Sequence, residues 1–142
     1  AEGFIENLAS ALPALWLALD AEGPPVAAAC LTALRPGDSA LLHGVSMPGM
    51  RRHPAKEALA RHVLREAFDG YGLQTLRAEV EADNPGARGF CWRMGFRLAG
   101  VLRRGTHRTD GRWVPQQRWE LSATRYRQPL GLSAGPGTPR VR

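Results

Sequence analysis

Cysteine is scarce in this chain: Cys30 and Cys91 are the only two in 142 residues. Both stand in apolar contexts, and neither shares a metal-ligand spacing with the four histidines. That argues against a disulfide scaffold and a zinc module; no metal is expected, and a reduced, cytoplasmic setting fits best. Long apolar runs are missing too. Residues 8–19 are apolar but short, broken by Pro13 and preceded by Glu2 and Glu6 rather than by basic residues. A transmembrane helix is excluded and a signal peptide disfavoured, so no membrane partner is expected. Lysine is nearly absent, since 18 of the 19 basic residues are Arg. Positive charge is also lacking at the front: residues 1–50 hold one Arg against five acids, residues 51–142 hold 18 basic residues against eight. The asymmetry invites an anionic partner, either nucleic acid or the phosphates of a cofactor. A gene whose base composition favours Arg and Ala gives the same bias, and nucleic acid is not the favoured partner.

What is present is a succession of short apolar runs and turns. A chain of this length buries a core without staples, and residues 1–127 are expected to form one domain. Residues 4–12 place apolar side chains at 4, 5, 8, 9, 11 and 12, a short amphipathic helix ended by Pro13. Residues 14–20, 26–34 and 40–46 read as strands, with turns at 22–25 and 35–38 between them. Residues 54–69 carry two ladders at i, i+4, one of Ala55, Leu59, Val63 and Ala67, the other of Ala60, Leu64 and Phe68. They read as a helix closed by Gly70 and Gly72. Residues 73–82 make the next strand, and residues 96–103 and 118–124 a final pair. Between that pair, residues 104–117 read as a long polar loop; its Asp110-Gly111 alternatively marks a hairpin tip. Residues 128–142, rich in Pro, Gly, Ser and Arg without periodicity, read as a flexible tail. The resulting order is mixed α/β.

Residues 79–96 are the most informative stretch. They read as a strand, a short helix and the start of another strand. Asn84 is a preferred N-cap, and Pro85 fits the first helical position, where a missing N–H costs nothing. Ala87, Phe90, Cys91 and Met94 fall on one apolar face, and Gly95 stops the helix in a left-handed conformation. Asn84, Ala87 three residues on, and Gly95-Phe96 at eleven and twelve resemble the last conserved block of the GNAT superfamily of acyl-CoA-dependent N-acetyltransferases. Residues 76–84 are most similar to the branch that acetylates ribosomal proteins at their amino termini. The resemblance runs from about residue 14 to residue 121. It implies the GNAT α/β fold with a mixed sheet, shortened at the front, where that family has a further strand and a longer helical region. Either the start is trimmed, or the domain is a reduced version whose open sheet edge a homodimer would cover.

The resemblance also implies a chemistry. The family cradles the pyrophosphate of acetyl-CoA on backbone N–H groups at the start of a helix, in a loop patterned Gln/Arg-x-x-Gly-x-Gly/Ala. A helix N-terminus offers unpaired donors and a positive dipole end to an anion. Here the loop is Arg51, Arg52, His53, Pro54, Ala55 and Lys56. Pro54 stands in place of glycine and supplies no N–H, while Arg51, Arg52 and Lys56 add charge. Val45 and Ser46, ending the preceding strand, would supply the backbone N–H that polarises the thioester carbonyl and bonds to pantetheine, and Asn84 a further pantetheine contact. Glu79, five residues before Asn84, corresponds to the branch's base. Strand alternation puts it on one face with Arg77 and Glu81. An α-amine with pKa near 7.7–8.0 asks less of such a base than a lysine near 10.4. Cys91 stands where the family commonly has an acidic Tyr; a thiol can in principle protonate a thiolate, but its place on the apolar helix face favours a buried filler. His43 is a second base candidate, and Glu81 and Trp113 are candidates for acceptor contact. The expected activity is acetyl transfer from acetyl-CoA to a primary amine, by direct attack. The rival is a GNAT-fold module without catalysis that binds CoA, nucleic acid or a protein.

Overall fold

The computed structural model describes residues 14–128. The helix expected over residues 4–12 and the tail expected beyond Gln128 lie outside them. The described chain divides at Leu73/Gln74 into two compact units.

The first unit is a three-stranded antiparallel meander with one helix. Strands β1 (Leu15–Leu19), β2 (Pro25–Arg35) and β3 (Ser39–Ser46) follow the apolar runs read from the sequence. The β1–β2 turn closes with Asp20 N–H donating to the Pro24 carbonyl at 2.8 Å. Register runs Leu15↔Cys30 to Ala18↔Ala27, then Ala27↔Ser46 to Thr32↔Leu41. It shifts between Thr32 and Arg35, where Ala33 holds φ +49°, a left-handed conformation that only glycine adopts cheaply. Helix α1 (Pro54–Arg65) packs on β1 and β2. Its two ladders end in Val63, Leu64, Ala67 and Phe68, all buried with Val26, Leu31, Ala40 and Leu73. The last four residues of the expected helix, together with the Gly70 expected to close it, widen into a π turn over Glu66–Gly70, with Tyr71 N–H donating to Glu66.

The second unit has β6 (Trp113–Ser122) between β4 (Thr75–Glu81) and β5 (Arg97–His107), all antiparallel. Helix α2 (Pro85–Arg93) leads from β4 to β5, and a short α3 (Ala123–Tyr126) follows β6, capped by Ser122 Oγ accepting from Arg125 N–H. Alternation puts Ala78, Val80 and Ala82 opposite the polar face; Ala78 and Val80 are buried there with Leu76, while Ala82 lies past the end of β4 and is half-buried. Phe96, Trp119 and Leu121 close that core, and Gly95 ends α2 at φ +98°.

One expectation is overturned. Residues 104–117 are not a long loop but the outer half of a hairpin: Thr106 pairs with Val114 and His107 with Trp113. The tip is residues 108–112, with Gly111 at φ +87° and Arg108 N–H donating to Arg112, so the hairpin alternative for Asp110-Gly111 is the observed one. The last strand accordingly starts at Trp113 and stops at Ser122. Two register shifts in β5, between Leu98 and Gly100 and between Leu102 and Thr106, break the alternation by which a strand is read. Strand β5 also leaves Leu98, Val101 and Leu102 about half exposed (50%, 54% and 54%).

Gly105 sits inside the second shift, and a Cβ there would lie 2.1 Å from the Gln116 Cβ and 3.0 Å from its backbone nitrogen. Gly105→Ala is therefore expected to destabilise the fold by about 1–3 kcal/mol through overpacking, measurable as a lowered urea midpoint; an unchanged midpoint would show that the hairpin yields freely.

Candidate functional site

The loop that enters α1 is built from tight turns. Met47 N–H donates to Val26, Met50 N–H to Met47 and His53 N–H to Met50, with Gly49 at φ +78°. His53 is the N-cap of α1 by its ring: Nδ1 accepts from Ala55 N–H at 3.0 Å, and Nε2 lies 2.9 Å from Asp20 Oδ2. Since Nδ1 accepts, Nε2 carries the proton and donates to Asp20. Asp20 Oδ1 also accepts from Glu22 N–H at 3.0 Å. Its carboxyl is held below the ordinary 3.8, first by that Glu22 N–H and then by His53.

This arrangement tests how an anion would fit. Pro54 has no N–H; Ala55 gives its own to the His53 ring and Lys56 to the His53 carbonyl at 3.1 Å. The first turn of α1 thus offers no open backbone donor. Among the described residues none accepts from the N–H of Arg51 or Arg52, and both residues are exposed. A pyrophosphate would fit here on those two amides and guanidinium groups, with Lys56 near them in sequence, rather than on the helix terminus.

Strand β3 carries the remaining candidates of this unit. His43 Nε2 is 2.7 Å from Thr32 Oγ1, and Val45 is 57% exposed. In an antiparallel pair every second residue turns its N–H to the neighbour. The bond from Met47 N–H to Val26 and the register Ala28↔Val45 therefore aim the Val45 N–H at β2. Those of Gly44 and Ser46 face away from it. Of Val45 and Ser46, only Ser46 thus turns its N–H away from β2.

In the second unit, Arg77, Glu79 and Glu81 share the more exposed face of β4. Glu79 lies opposite Arg118, with the nearest approach 4.0 Å, which leaves the carboxylate only loosely engaged. Glu81 accepts from Arg108 Nη2, which also donates to Asp83 at 2.8 Å. Those two carboxylates, Glu81 first, push the guanidinium further up from its already high pKa. Arg77 Nε is buried with no acceptor. Asn84 caps α2 as read: Oδ1 accepts from Ala87 N–H at 3.1 Å, which leaves the amide NH2 able to donate elsewhere. Trp113 is 49% exposed and stacks on His107 with ring centroids 4.6 Å apart. Trp119 is buried, its Nε1–H donating to Gln117. Cys91 is buried, and desolvation pushes its thiol up to about 11. A thiol that weakly acidic gives its proton up uphill to an ordinary thiolate, whose pKa is near 8.5.

Arg108 and Asp20 were not singled out by sequence. Arg108 meets its two carboxylates, and Asp20 the His53 ring, across 25 to 33 residues, a separation at which no local spacing signals a contact. Among the described residues no group of three His, Cys, Asp or Glu could hold a metal ion, and no helix is long and apolar enough to cross a membrane.

No protein-family model and no curated protein matches the chain. Solved structures do. Spermidine/spermine N-acetyltransferase SpeG from Vibrio cholerae, in complex with manganese ions, superposes with TM-score 0.71 at 19% identity over 79% of this chain and 66% of that one. A GCN5-related N-acetyltransferase from Brucella melitensis gives 0.70 at 20% over 79% and 52%. A GNAT-family acetyltransferase from Bacillus anthracis gives 0.66 at 14% over 75% and 64%. The chain thus spans about half to two thirds of these proteins. At such identities the likeness establishes the fold, which is the α/β fold of the GNAT N-acetyltransferases.

Two outcomes follow from the geometry. A carboxyl with a lowered folded-state pKa contributes stability that is complete above its unfolded value and vanishes as pH falls through the folded one. Asp20→Asn is therefore expected to melt below wild type at neutral pH, the gap closing only below pH 3.8; a pH-independent gap would show that the charge is not involved. Cys91 should resist iodoacetamide at pH 8 until the protein is unfolded, by mass spectrometry, because only the thiolate reacts.

Proposed function

We propose that this chain transfers the acetyl group of acetyl-CoA to a primary amine. The observation that carries the reading is Glu79: a half-exposed carboxylate on the polar face of β4, five residues before an Asn that caps the next helix, in a GNAT fold. Protein or peptide α-amines are the preferred acceptors, with small amines next. The Vibrio cholerae neighbour is a spermidine/spermine enzyme by name, which makes polyamines a third class to test.

Arg51, Arg52 and Lys56 would hold the cofactor's phosphates, and the Asn84 amide its pantetheine arm. Glu79 takes a proton from the incoming amine, directly or through water, so that the neutral nitrogen attacks the thioester carbonyl. The family resemblance would give the Val45–Ser46 backbone the role of meeting charge on the carbonyl oxygen, and of those two N–H groups that of Ser46 is turned away from β2. When the carbon–sulfur bond breaks, the CoA thiolate takes its proton from water, since Cys91 is too weak an acid and too buried to give one. Two free cysteines, Cys30 and Cys91, support a reducing compartment such as the cytoplasm, and the half-exposed apolar side chains of β5 support self-association.

One observation favours the second reading, a binding module without turnover: the His53 ring and Pro54 leave the α1 terminus without an open donor. Calorimetry with acetyl-CoA, followed by acceptor screening, separates the two. For the enzyme, micromolar binding is expected, and Glu79→Gln should lower kcat/KM by about 10²–10⁴-fold with cofactor affinity unchanged. Full activity in Glu79→Gln would overturn the assignment of the base.

A further inference from the structure

If the chain acetylates amines through Glu79, the carboxylates beside that residue should decide how many positive charges an acceptor brings. Glu81 lies two residues on along the same face of β4, about 7 Å away by strand geometry. Asp83 follows just past the strand. Left open, this row would be an attractive seat for the second ammonium of a di- or polyamine whose first amine sits at Glu79.

The row is not open. Arg108 leaves the end of β5 at the hairpin tip, and its backbone N–H donates to Arg112, which fixes the turn. Its guanidinium is only 31% exposed and donates through one nitrogen to both Glu81 and Asp83. The acid of the tip itself, Asp110, is engaged elsewhere, by the Arg112 backbone N–H at 3.0 Å and Nε at 2.7 Å. That leaves Arg108 committed to the β4 carboxylates. Charge-assisted bonds of this kind are the stronger hydrogen bonds of a protein. An ammonium arriving from water would have to displace a guanidinium already in place.

From this we infer that Arg108 is a specificity-determining residue, one that occupies Glu81 and Asp83 and so turns the enzyme away from polyamines towards acceptors with a single amine. The inference rests on the proposed acetyl transfer. It concerns equilibrium binding as well as turnover, so the two fail separately.

The test compares wild type with Arg108→Gln, reading spermidine affinity by calorimetry and kcat/KM for spermidine and for a short peptide with a neutral side-chain set. Arg108→Gln is expected to bind spermidine about tenfold more tightly, as one charge-assisted contact allows. The gain should appear in KM rather than kcat, with the peptide's constants nearly unchanged. Adding Glu81→Gln and Asp83→Asn to that variant should remove the gain, and Arg108→Lys should behave as wild type. Should Arg108→Gln not fold, Glu81→Gln alone, with Arg108 retained, is expected to weaken spermidine further. Equal spermidine affinity in wild type, Arg108→Gln and Glu81→Gln overturns the inference. Absence of acetyl transfer from every acceptor, in wild type as in the variants, with the affinity change intact, overturns the proposed function and with it the claim about acceptor choice, leaving Arg108 only as a barrier to polyamine binding.

Discussion

Strand β6 hydrogen-bonds on both sides, and the functional geometry of the second unit depends on that double ladder. Its pairing with β4 sets Glu79 opposite Arg118 and Arg77 opposite Glu120. Its pairing with β5 carries the hairpin far enough for residues 108–112 to turn back, so that Arg108 reaches Glu81 and Asp83. A slip of one residue would send every side chain of β4 to the other face, exchanging Glu79 for Ala78 and Val80. The register is held by the burial of Leu76, Ala78, Val80, Trp119 and Leu121 on a common side. Apolar burial on one face thus decides which acids are available on the other.

Two helices of this chain begin with proline and solve the same problem differently. Both must satisfy the N–H of the second or third helical residue. Asn84 does so with its carbonyl oxygen, which keeps its NH2 free for another partner. His53 does so with a ring nitrogen, and Asp20 holds the ring from the other side. The first cap leaves a donor for a ligand. The second consumes one, and it shifts the burden of binding any anion near α1 onto Arg51 and Arg52. Charge without oriented backbone donors holds phosphate less specifically, because guanidinium groups on flexible stems must be ordered on binding.

Arginine richness takes on a definite meaning in the same light. Arg108, Arg112 and Arg118 each lie within 4.0 Å of a carboxylate of their own unit. These three arginines of the second unit thus have a carboxylate within the unit, Arg118 only at 4.0 Å. The excess that remains exposed includes Arg51 and Arg52, at the loop where a cofactor's phosphates would be read.

Local chemistry made much of this legible from the sequence alone. The strands from 15 to 46, both helix starts, the Asn84 cap, the Gly95 stop and the polar face of β4 all follow from spacing within a few residues. Such features are governed by steric and hydrogen-bonding rules that act between near neighbours. The β5–β6 hairpin was misread because register shifts destroy the alternation on which strand reading depends, even though Asp110-Gly111 stood at its tip. The direction of the Val45 N–H, the seat of the His53 ring and the reach of Arg108 depended on contacts 17 to 33 residues apart in the chain. Only the folded chain could decide them, because a hydrogen bond closes on whichever partner the register brings within reach, and the register is fixed by the burial of side chains far away in sequence.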